Sequence, residues 1–406
     1  MSLDLAEIYR DLHRHPELSF AETRTAAVIA EHLAALGVEA TTGVGGTGVV
    51  GVLTNGDGPV VGLRADIDAL PVAEETGLDY ASTVRATDAA GVEVPVMHAC
   101  GHDMHVTCLL GALERLVADR GSWSGTVVAY FQPAEEVGRG AQAMVDDGIL
   151  ERFPRPAIVL GQHVTPLPAG MISVHAGPAM ASADSLTITL HGHGGHGSRP
   201  ESTIDPVVAA AAIVMRLQTI VGREVSSSER AVVTVGSLHS GTKHNIIPAE
   251  ATLLVSVRTM TALVRDKVLA AVDRIVRAEA AASGMTTDPT IELVESLPVL
   301  VNDPEATERT RSALAEAFGV DAVIDFGEVS GSEDVGTIAT ALGVPICYWF
   351  LGGGDPEPTL AAFAAGDLDA IPSNHSALFA PVLDPTIGQG VEALVVAARE
   401  WLGGTR

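Results

Sequence analysis

Four short apolar runs in the first part of the chain predict buried strands of one α/β sheet. The runs are residues 48–53, 59–65, 125–131 and 157–163. Each is rich in β-branched side chains and apolar at consecutive positions, so both faces of each strand must be covered. A capping box of Ser19 and Glu22 predicts a preceding helix that runs to Leu36 and stops at Gly37.

The hydrophobic pattern changes from about residue 183. Alternating apolar and polar positions predict strands, and between them lie two amphipathic helices. The strands are residues 185–190, 231–238, 250–258 and 290–295, and the helices are residues 206–221 and 261–283. Their order, β-α-β-β-α-β, is that of a ferredoxin-like unit.

Helix and strand alternation resumes after this unit, at residues 304–318, 344–351 and 384–402. The predicted fold class is therefore α/β: a larger α/β domain interrupted by a ferredoxin-like α+β insert. Residues 1–180 and 296–406 are assigned to the first domain, and residues 181–295 to the insert. Two domains agree with 406 residues, which exceed the size at which one core stops growing.

The charge and cysteine content narrow the possible partners and location. A net charge of −27, from 51 acids against 24 bases, argues against nucleic acid or anionic membranes. The start of the chain lacks the basic and apolar regions of a signal peptide, and no apolar stretch approaches the roughly 20 residues of a membrane helix. Three widely spaced cysteines fit a reducing compartment. A cytoplasmic protein is predicted.

Polar side chains end three of the predicted strands. Asp66 and Asp68 follow the second run, and His163 ends the fourth. Glu135 and Glu136 follow the third run, and because adjacent residues should face apart, one is expected to bind metal and the other a water. Ligand sites of open α/β sheets lie beyond the carboxyl ends of strands, so these side chains are expected to converge.

Residues 98–105 hold three histidines, a cysteine and an aspartate, in a chain with only 14 histidines and three cysteines. Thiolate, imidazole and carboxylate are the groups that bind transition metals. Taken singly, a cysteine or histidine is more often a packed or surface residue. The clustering, and the strand-end position of Glu135 and Glu136, favour a metal site.

The chain resembles the M20 metallopeptidases, specifically the amidohydrolase branch with aminoacylases, hippurate hydrolases and indole-acetyl-amino-acid hydrolases. The resemblance covers nearly the whole chain in seven ordered motifs. These are LHRHPELS (12–19), LRADIDALP (63–71), MHACGHD (97–103), FQPAEE (131–136), GGHG (194–197), HNIIP (244–248) and GSED (331–334). Asp66 departs from the wider family, which has a histidine ligand at that position. The GSED motif could equally be only a helix cap.

The resemblance implies a dinuclear metal site and a role for each site residue. The implied ligands are Cys100 between the two metals, with His102, Glu136, His163 and His375 around them. Glu135 is implied to be the general base, and Asp68 to orient a ligand. His98 and His105 are expected to support the site rather than bind metal. The donors favour Zn or Mn, with Co or Ni as alternatives, over Mg or Ca.

The insert is implied to act as a lid and to form a homodimer. By resemblance, His196 helps to stabilise the oxyanion, often across the dimer interface. Asn245 and Arg258 are implied to hold the carboxylate of the substrate, a role that the guanidinium fork of arginine suits. His191 and His193 are expected to belong only to a glycine-rich turn.

The predicted function is hydrolysis of the amide bond of an N-acyl L-amino acid, giving a carboxylic acid and a free amino acid. A dipeptidase or an N-acetyl-diaminopimelate-type deacetylase are the alternatives within the enzyme class. A non-catalytic metal-binding protein on the same fold is the alternative outside it, and the presence of Glu135 argues against it. A serine hydrolase is disfavoured because no Gly-x-Ser-x-Gly motif is present.

Overall fold

The computed structural model describes residues 2–404 as a mixed α/β protein, which is the predicted fold class at this level. The α-helices of the described residues are α1 Leu5–Arg14, α2 Thr23–Ala35, α3 His102–Ala118, α4 Gly140–Asp146, α5 Ile149–Arg152, α6 Pro206–Arg223, α7 Ala262–Ala282, α8 Pro304–Phe318, α9 Val335–Leu342, α10 Pro356–Ala365 and α11 Thr386–Trp401. Their strands are β1 Glu39–Val44, β2 Gly48–Asn55, β3 Val60–Asp66, β4 Arg85–Thr87, β5 Glu93–Pro95, β6 Gly125–Gln132, β7 Ile158–Pro168, β8 Ile172–Ser173, β9 Gly177–Met180, β10 Ser182–His191, β11 Gly195–His196, β12 Ala231–Ser240, β13 Ile246–Ile247, β14 Glu250–Thr259, β15 Thr290–Leu297, β16 Leu300–Asn302, β17 Val323–Ile324 and β18 Ile346–Gly354.

The chain divides into two compact units. Within the described residues, the first unit comprises residues 2–179, Val301–Gly327 and residues 334–404. The second unit comprises Met180–Leu300 and the short later segment Glu328–Glu333. The alternation pattern of the sequence places that segment in the first domain instead. It groups with the second unit because Arg258 Nη1 donates to the backbone oxygen of Ser330 (3.0 Å) and to Ser332 Oγ (2.9 Å).

The first unit is built on an eight-stranded sheet in the order β1-β2-β6-β3-β7-β18-β8-β17. Strands β6, β3, β7 and β18 are parallel, and β1 and β2 extend the sheet in antiparallel fashion. The carboxyl ends of the parallel strands therefore lie along one edge. In this register Asp66 of β3 pairs with Gln132 of β6.

The core of the first unit lies around these parallel strands. Helix α3 packs against α11 and β3, and α2 packs against β2. Six consecutive residues of β6, from 127 to 132, are buried, as the apolar run predicts. Aromatic residues are few, but Tyr130, Phe131, Tyr348 and Trp349 are all among the fully buried side chains.

The second unit has a four-stranded antiparallel sheet in the order β12-β14-β10-β15, with α6 and α7 packed on it. Ile213 and Leu217 of α6, Val272 of α7 and Leu253 of β14 belong to its core. Among the described residues, only α6 is long and apolar enough to cross a membrane by length and composition. Its buried residues pack within this unit.

The predicted elements agree with the observed ones to within a few residues at each end. Residues 304–318, for example, match α8 Pro304–Phe318. The predicted capping box is wrong. Helix α2 begins at Thr23, and the side chain of Glu22 makes no capping hydrogen bond, while the Ser19 hydroxyl donates to Asp68 Oδ2 (2.6 Å). The Glu22 side chain instead accepts a hydrogen bond from the backbone N–H of Ala134.

Candidate metal centre

The turn before α3 presents Cys100 beside the carboxyl edge of the sheet, and His102 is the first residue of α3. Gly101 between them has φ of 85°, the left-handed conformation that glycine adopts most easily. A Cβ atom at Gly101 would also approach Cγ1 of Val164 to 2.4 Å. A larger residue would therefore force the turn or the Val164 side chain to shift.

The five predicted metal ligands lie together in the first unit. Three of the groups of potential ligands contain them: Cys100 with His102 and His163, Cys100 with Glu136 and His375, and His102 with Glu136 and the adjacent Glu135. Within each group, one potential ligand atom of each residue lies within 4.8 Å of the others. Because Cys100 belongs to two groups, its Sγ atom lies between two sets of donors.

His102 is oriented so that one ring nitrogen faces the carboxylates. Nδ1–H donates to the backbone oxygen of Asp68 (2.9 Å), with Asp68 Oδ1 at 3.2 Å. Nε2 lies 3.5 Å from Asp66 Oδ2, 3.7 Å from Glu136 Oε1 and 4.0 Å from Glu135 Oε2. Burial lowers the pKa of His102, but the charge of Asp66 and the hydrogen bond to Asp68 outweigh it and raise the pKa to about 10. The carboxylates around His102 thus favour a positive charge at this position.

His163, in β7, lies near Cys100, and His375, in the loop before α11, lies near Glu136. His163 Nδ1–H donates to the backbone oxygen of Val164 (2.8 Å), which leaves Nε2 as the acceptor nitrogen, 3.5 Å from Cys100 Sγ. Burial lowers the pKa of His163 well below its usual value, so the ring is neutral. His375 Nε2 lies 3.4 Å from Glu136 Oε2, and the half-exposed ring is on the solvent side.

Glu135 and Glu136 do not face apart as the sequence analysis expected. Both carboxylates approach His102, because the chain leaves the strand at Ala134, whose φ of 49° is left-handed, and then turns. The backbone N–H of Glu136 donates to Asp68 Oδ2 (3.0 Å). Burial raises the pKa of Glu136 to about 8.

The donor set fits divalent transition metals. His102 Nε2 and Glu136 Oε1 are buried and have no hydrogen-bond partner among residues 2–404. Burial, and then the charges of Glu136 and Glu135, raise the pKa of the Cys100 thiol well above its usual value. A cation placed among these atoms would satisfy both unpartnered groups and favour the thiolate. The described residues therefore include groups that could hold metal ions.

A buried arginine that the sequence pattern does not single out, Arg64, connects three of the motifs. Arg64 Nη1 donates to Asp66 Oδ2 (2.7 Å), Nε to Gln132 Oε1 (2.9 Å) and Nη2 to Asp334 Oδ1 (3.2 Å). Asp334 also accepts from the backbone N–H of Ala141 (3.0 Å) and makes no side-chain cap for α9. The Asp334 side chain of the GSED motif therefore binds Arg64 and the backbone of Ala141 instead of capping α9. The feature of the sequence that indicates the role of Arg64 is the presence of an arginine within an otherwise apolar strand.

Of the two remaining histidines of residues 98–105, His105 has both ring nitrogens engaged, whereas both ring nitrogens of His98 lack a hydrogen-bond partner among residues 2–404. His105 Nδ1–H donates to Asp66 Oδ1, and Nε2 accepts from the backbone N–H of Val164 (2.8 Å). Both its nitrogens are thus used to hold Asp66 and β7. His98 is buried, and burial lowers its pKa to about 4, so it is neutral.

A second missed residue, Asn374, ties the His375 loop to the Cys100 turn. Its Nδ2 donates to the backbone oxygens of Cys100 and Val164, both at 3.1 Å. The backbone N–H of His375 donates to the oxygen of Ala99 (2.8 Å), and His375 itself has φ of 70°. These contacts fix a residue that lies far from the other candidate ligands in sequence.

A buried charge cluster lies next to α3. His13 Nδ1 lies 2.6 Å from Asp103 Oδ2, and His13 Nε2 lies 3.1 Å from Glu74 Oε1. Burial lowers the pKa of His13, but the hydrogen bonds to Asp103 and Glu74 outweigh it and raise the pKa to about 9 from 6.5. The folded protein therefore holds this proton more tightly than the unfolded chain.

We expect His13 to make the protein less stable as pH rises from 6.5 to 9. Its contribution is fully present below pH 6.5 and is lost as pH rises through the folded pKa, amounting to about 3 kcal/mol. Urea unfolding of wild type and His13→Asn at both pH values measures it, with the exposed His15→Asn as control. An equal pH dependence in wild type and His13→Asn would contradict the assignment.

The second unit places its three predicted substrate residues in two locations. His196 of β11 and Asn245 are neighbours, since Gly197 N–H donates to the backbone oxygen of Asn245 (2.9 Å). Both are exposed at the loop that precedes β14. Arg258 lies near the other end of β14, about 26 Å along the strand from its start. Asn245 therefore precedes the first end of β14, whereas Arg258 lies near its other end.

Known proteins resemble the chain over most of its length. A thermostable carboxypeptidase 1 of Saccharolobus solfataricus is 37% identical over 354 residues, covering 86% of this chain and 85% of that protein. A hippurate hydrolase of Campylobacter jejuni is 38% identical over 318 residues, covering 78% and 79%. A Bacillus subtilis crystal structure described as a dinuclear metal binding peptidase from the M20 family superposes with a TM-score of 0.77 at 30% identity, covering 98% of both chains.

The fold and the clustered donors define an α/β protein with a candidate metal centre at the carboxyl edge of its sheet. Residues 62–373 match the model of peptidase family M20/M25/M40. The chain belongs to that family. The relatives also support the amidohydrolase branch, which confirms the resemblance found in the seven motifs.

Proposed function

We propose that the protein is a metal-dependent amidohydrolase that cleaves the amide bond of N-acyl L-amino acids to a carboxylic acid and a free amino acid. The observation that carries this proposal is the sharing of Cys100, His102 and Glu136 among three donor groups, with the carboxylate of Glu135 beside them. A relative named for the hydrolysis of hippurate, an N-acylated glycine, supports the substrate class.

The proposed cofactors are two divalent metal ions held by Cys100, His102, Glu136, His163 and His375. A thiolate with three imidazoles favours Zn or Mn, with Co or Ni as alternatives. When bound, such ions lower the pKa of a coordinated water and polarise the scissile carbonyl. The description of a neighbour as a dinuclear metal binding peptidase supports the number of ions.

Glu135 is the proposed general base. Its carboxylate takes the proton of the attacking water and later delivers it to the leaving amine. Asp68 orients two ligands at once, because it accepts from the ring of His102 and from the backbone N–H of Glu136. Arg64 and His105 hold the carboxylate of Asp66 by both oxygens, so Asp66 supplies charge near His102 rather than a free donor.

N-acyl amino acids share one feature with peptides cleaved at the C-terminus: the amide nitrogen belongs to an amino acid with a free carboxylate. A relative named as a carboxypeptidase makes peptides, including dipeptides, the second candidate substrates. An N-acetyl-diaminopimelate-type substrate presents the same group. A non-catalytic metal-binding role is disfavoured because Glu135 has no purpose in it.

The separation of Asn245 and Arg258 bears on assembly. Two distant groups can hold one carboxylate only if they belong to two copies of the chain, so we infer a homodimer formed through the second unit. His196 would then act across the interface together with Asn245. The proposed location is the cytoplasm, where Cys100, Cys108 and Cys347, all free thiols, would stay reduced.

Mixing two inactive variants is expected to restore activity if the substrate contacts come from two copies. In a heterodimer of Arg258→Ala and Asn245→Ala, one site combines the intact Arg258 of one copy with the intact Asn245 of its partner. Random pairing then gives about one quarter of wild-type activity. Hydrolysis is measured after unfolding and refolding the variants together, with each variant refolded alone as control. If verified heterodimers recover no hydrolytic activity, the inference that Asn245 and Arg258 act from two copies of the chain is wrong.

The proposed activity is tested by hydrolysis of a matched panel by metal-loaded protein. The panel comprises N-acetyl, N-benzoyl and indole-acetyl amino acids, simple dipeptides and N-acetyl-diaminopimelate. Cleavage of an N-acyl class, abolished by chelator and restored by Mn²⁺ or Zn²⁺, is the expected result. Cleavage of dipeptides alone would move the assignment to a dipeptidase.

A further inference from the structure

The turn that carries Glu135 is fixed through the two backbone N–H groups that flank this residue. The N–H of Ala134 donates to Glu22 Oε1 (2.8 Å), and the N–H of Glu136 donates to Asp68 Oδ2 (3.0 Å). The Ser19 hydroxyl donates to that same oxygen of Asp68. Two carboxylates therefore hold the backbone immediately before and after the proposed base.

Glu22 is fully buried, although it lies at the start of a helix. The Thr47 hydroxyl donates to its Oε2, while its Oε1 accepts from Ala134. The sequence predicts a capping role for Glu22, but the structure gives that role to Glu17. The two carboxylate oxygens of Glu17 accept from the backbone N–H groups of Arg24 (3.0 Å) and Thr25 (2.8 Å). The Glu22 carboxyl group is thus not needed to cap α2.

Ala134 has φ of 49°, a conformation that alanine adopts only when its surroundings impose it. Its backbone oxygen accepts from the N–H of Gly140 (3.0 Å), so both of its backbone polar groups are held. Without Glu22 the buried N–H would lose its acceptor, and the backbone could relax towards right-handed or extended values. The carboxylates of Glu135 and Glu136 would then move away from His102.

We propose that Glu22 is a positioning residue for the metal centre: by holding Ala134 in the left-handed conformation, it sets where the Glu135 and Glu136 carboxylates lie. Its effect on catalysis rests on the proposed hydrolase function, whereas its effect on metal binding does not. Thr47 keeps the Glu22 carboxyl group in place.

Four variants test this role: Glu22→Ala, Glu22→Gln, the double variant Glu22→Ala/Ala134→Gly, and Glu17→Ala as the matched control at the same helix start. We expect Glu22→Ala to lower kcat about 100-fold with KM within about threefold, because a displaced reacting group costs about that much. Its dissociation constant for Mn²⁺, measured by calorimetry on the protein alone, should rise about tenfold.

The other three variants distinguish a positioning role of Glu22 from a general loss of stability. Glu22→Gln keeps an acceptor for Ala134 and should stay within about fivefold of wild type in kcat. Glycine adopts the left-handed conformation at little cost, so Ala134→Gly should recover about tenfold in kcat and most of the Mn²⁺ affinity when added to Glu22→Ala. Glu17→Ala should lower thermal stability but change neither kcat nor Mn²⁺ binding.

Three results would overturn the proposal. These are wild-type kcat and Mn²⁺ binding in Glu22→Ala, a double variant no better than Glu22→Ala, or an equal loss in Glu17→Ala. If Glu22→Ala does not fold, Thr47→Val replaces it, with an expected loss of about fivefold in kcat that Ala134→Gly reverses. If the wild type cleaves no substrate of the panel, the hydrolase proposal fails, and the pattern of Mn²⁺ affinities still decides the role of Glu22.

Discussion

Glu135→Gln is expected to lower kcat about 1,000-fold while leaving metal binding intact. The substitution keeps the size and polarity of the side chain but removes its ability to accept a proton from water, a loss of about 10²–10⁴ for a general base. Glu135 Oε2 lies 4.0 Å from His102 Nε2, close enough to act on a water held between the proposed metal ligands. KM for an N-acyl amino acid should change little, because the proposed contacts to the substrate carboxylate, Asn245 and Arg258, are unchanged.

Glu136→Gln is the matched control, one residue along the same turn. Its carboxylate lies between the donor groups of His102 and His375, so its loss should weaken metal binding. Activity of Glu136→Gln should therefore return partly at high metal concentration, whereas that of Glu135→Gln should not. The mechanism is wrong if Glu135→Gln keeps wild-type kcat with both ions bound.

Cys100→Ser is expected to weaken binding of both metal ions, by about 100-fold in dissociation constant. The thiol belongs to two donor groups, and a serine hydroxyl is a poorer ligand for soft or borderline metals. Metal content after dialysis, and calorimetric titration with Zn²⁺, measure the loss. Activity should fall in parallel with metal content, unlike in Glu135→Gln.

The chain provides two controls for Cys100→Ser. Cys108 and Cys347 are also buried and free, but they lie in the core formed by α3, β18 and their neighbours. Burial raises the pKa of both thiols. Cys108→Ser and Cys347→Ser should cost stability and leave metal content unchanged. Loss of only one ion in Cys100→Ser would show that this thiol does not bridge two sites.

Much of the fold could be predicted because hydrophobic periodicity is a local property. The apolar run at residues 125–131 corresponds to β6 Gly125–Gln132, and the helix at residues 304–318 to α8. Parallel strands share a carboxyl edge, and this rule is enough to bring Asp68, Glu135 and His163 together from distant parts of the sequence.

The supporting contacts could not be predicted because they depend on tertiary packing. Ser19 and Glu22 have the spacing of a capping box. However, Ser19 hydrogen-bonds to Asp68 and Glu22 hydrogen-bonds to Ala134, and both partners lie far away in sequence. Likewise, Arg64 meets Asp334 across 270 positions, and no local pattern reports such a pair. The separation of Asn245 from Arg258 follows from the direction of β14, which a motif comparison ignores.

The most direct test of the central claim is the rate of N-acyl amino acid hydrolysis measured against the number of metal ions bound per chain. Chelator-treated protein is titrated with Mn²⁺ or Zn²⁺, and bound metal and the hydrolysis of N-benzoylglycine and N-acetyl amino acids are followed in the same samples. We predict no hydrolysis without metal and a rise to the full rate as the second ion binds. Full hydrolysis in metal-free protein, or two bound ions without cleavage of any N-acyl amino acid, would contradict the account.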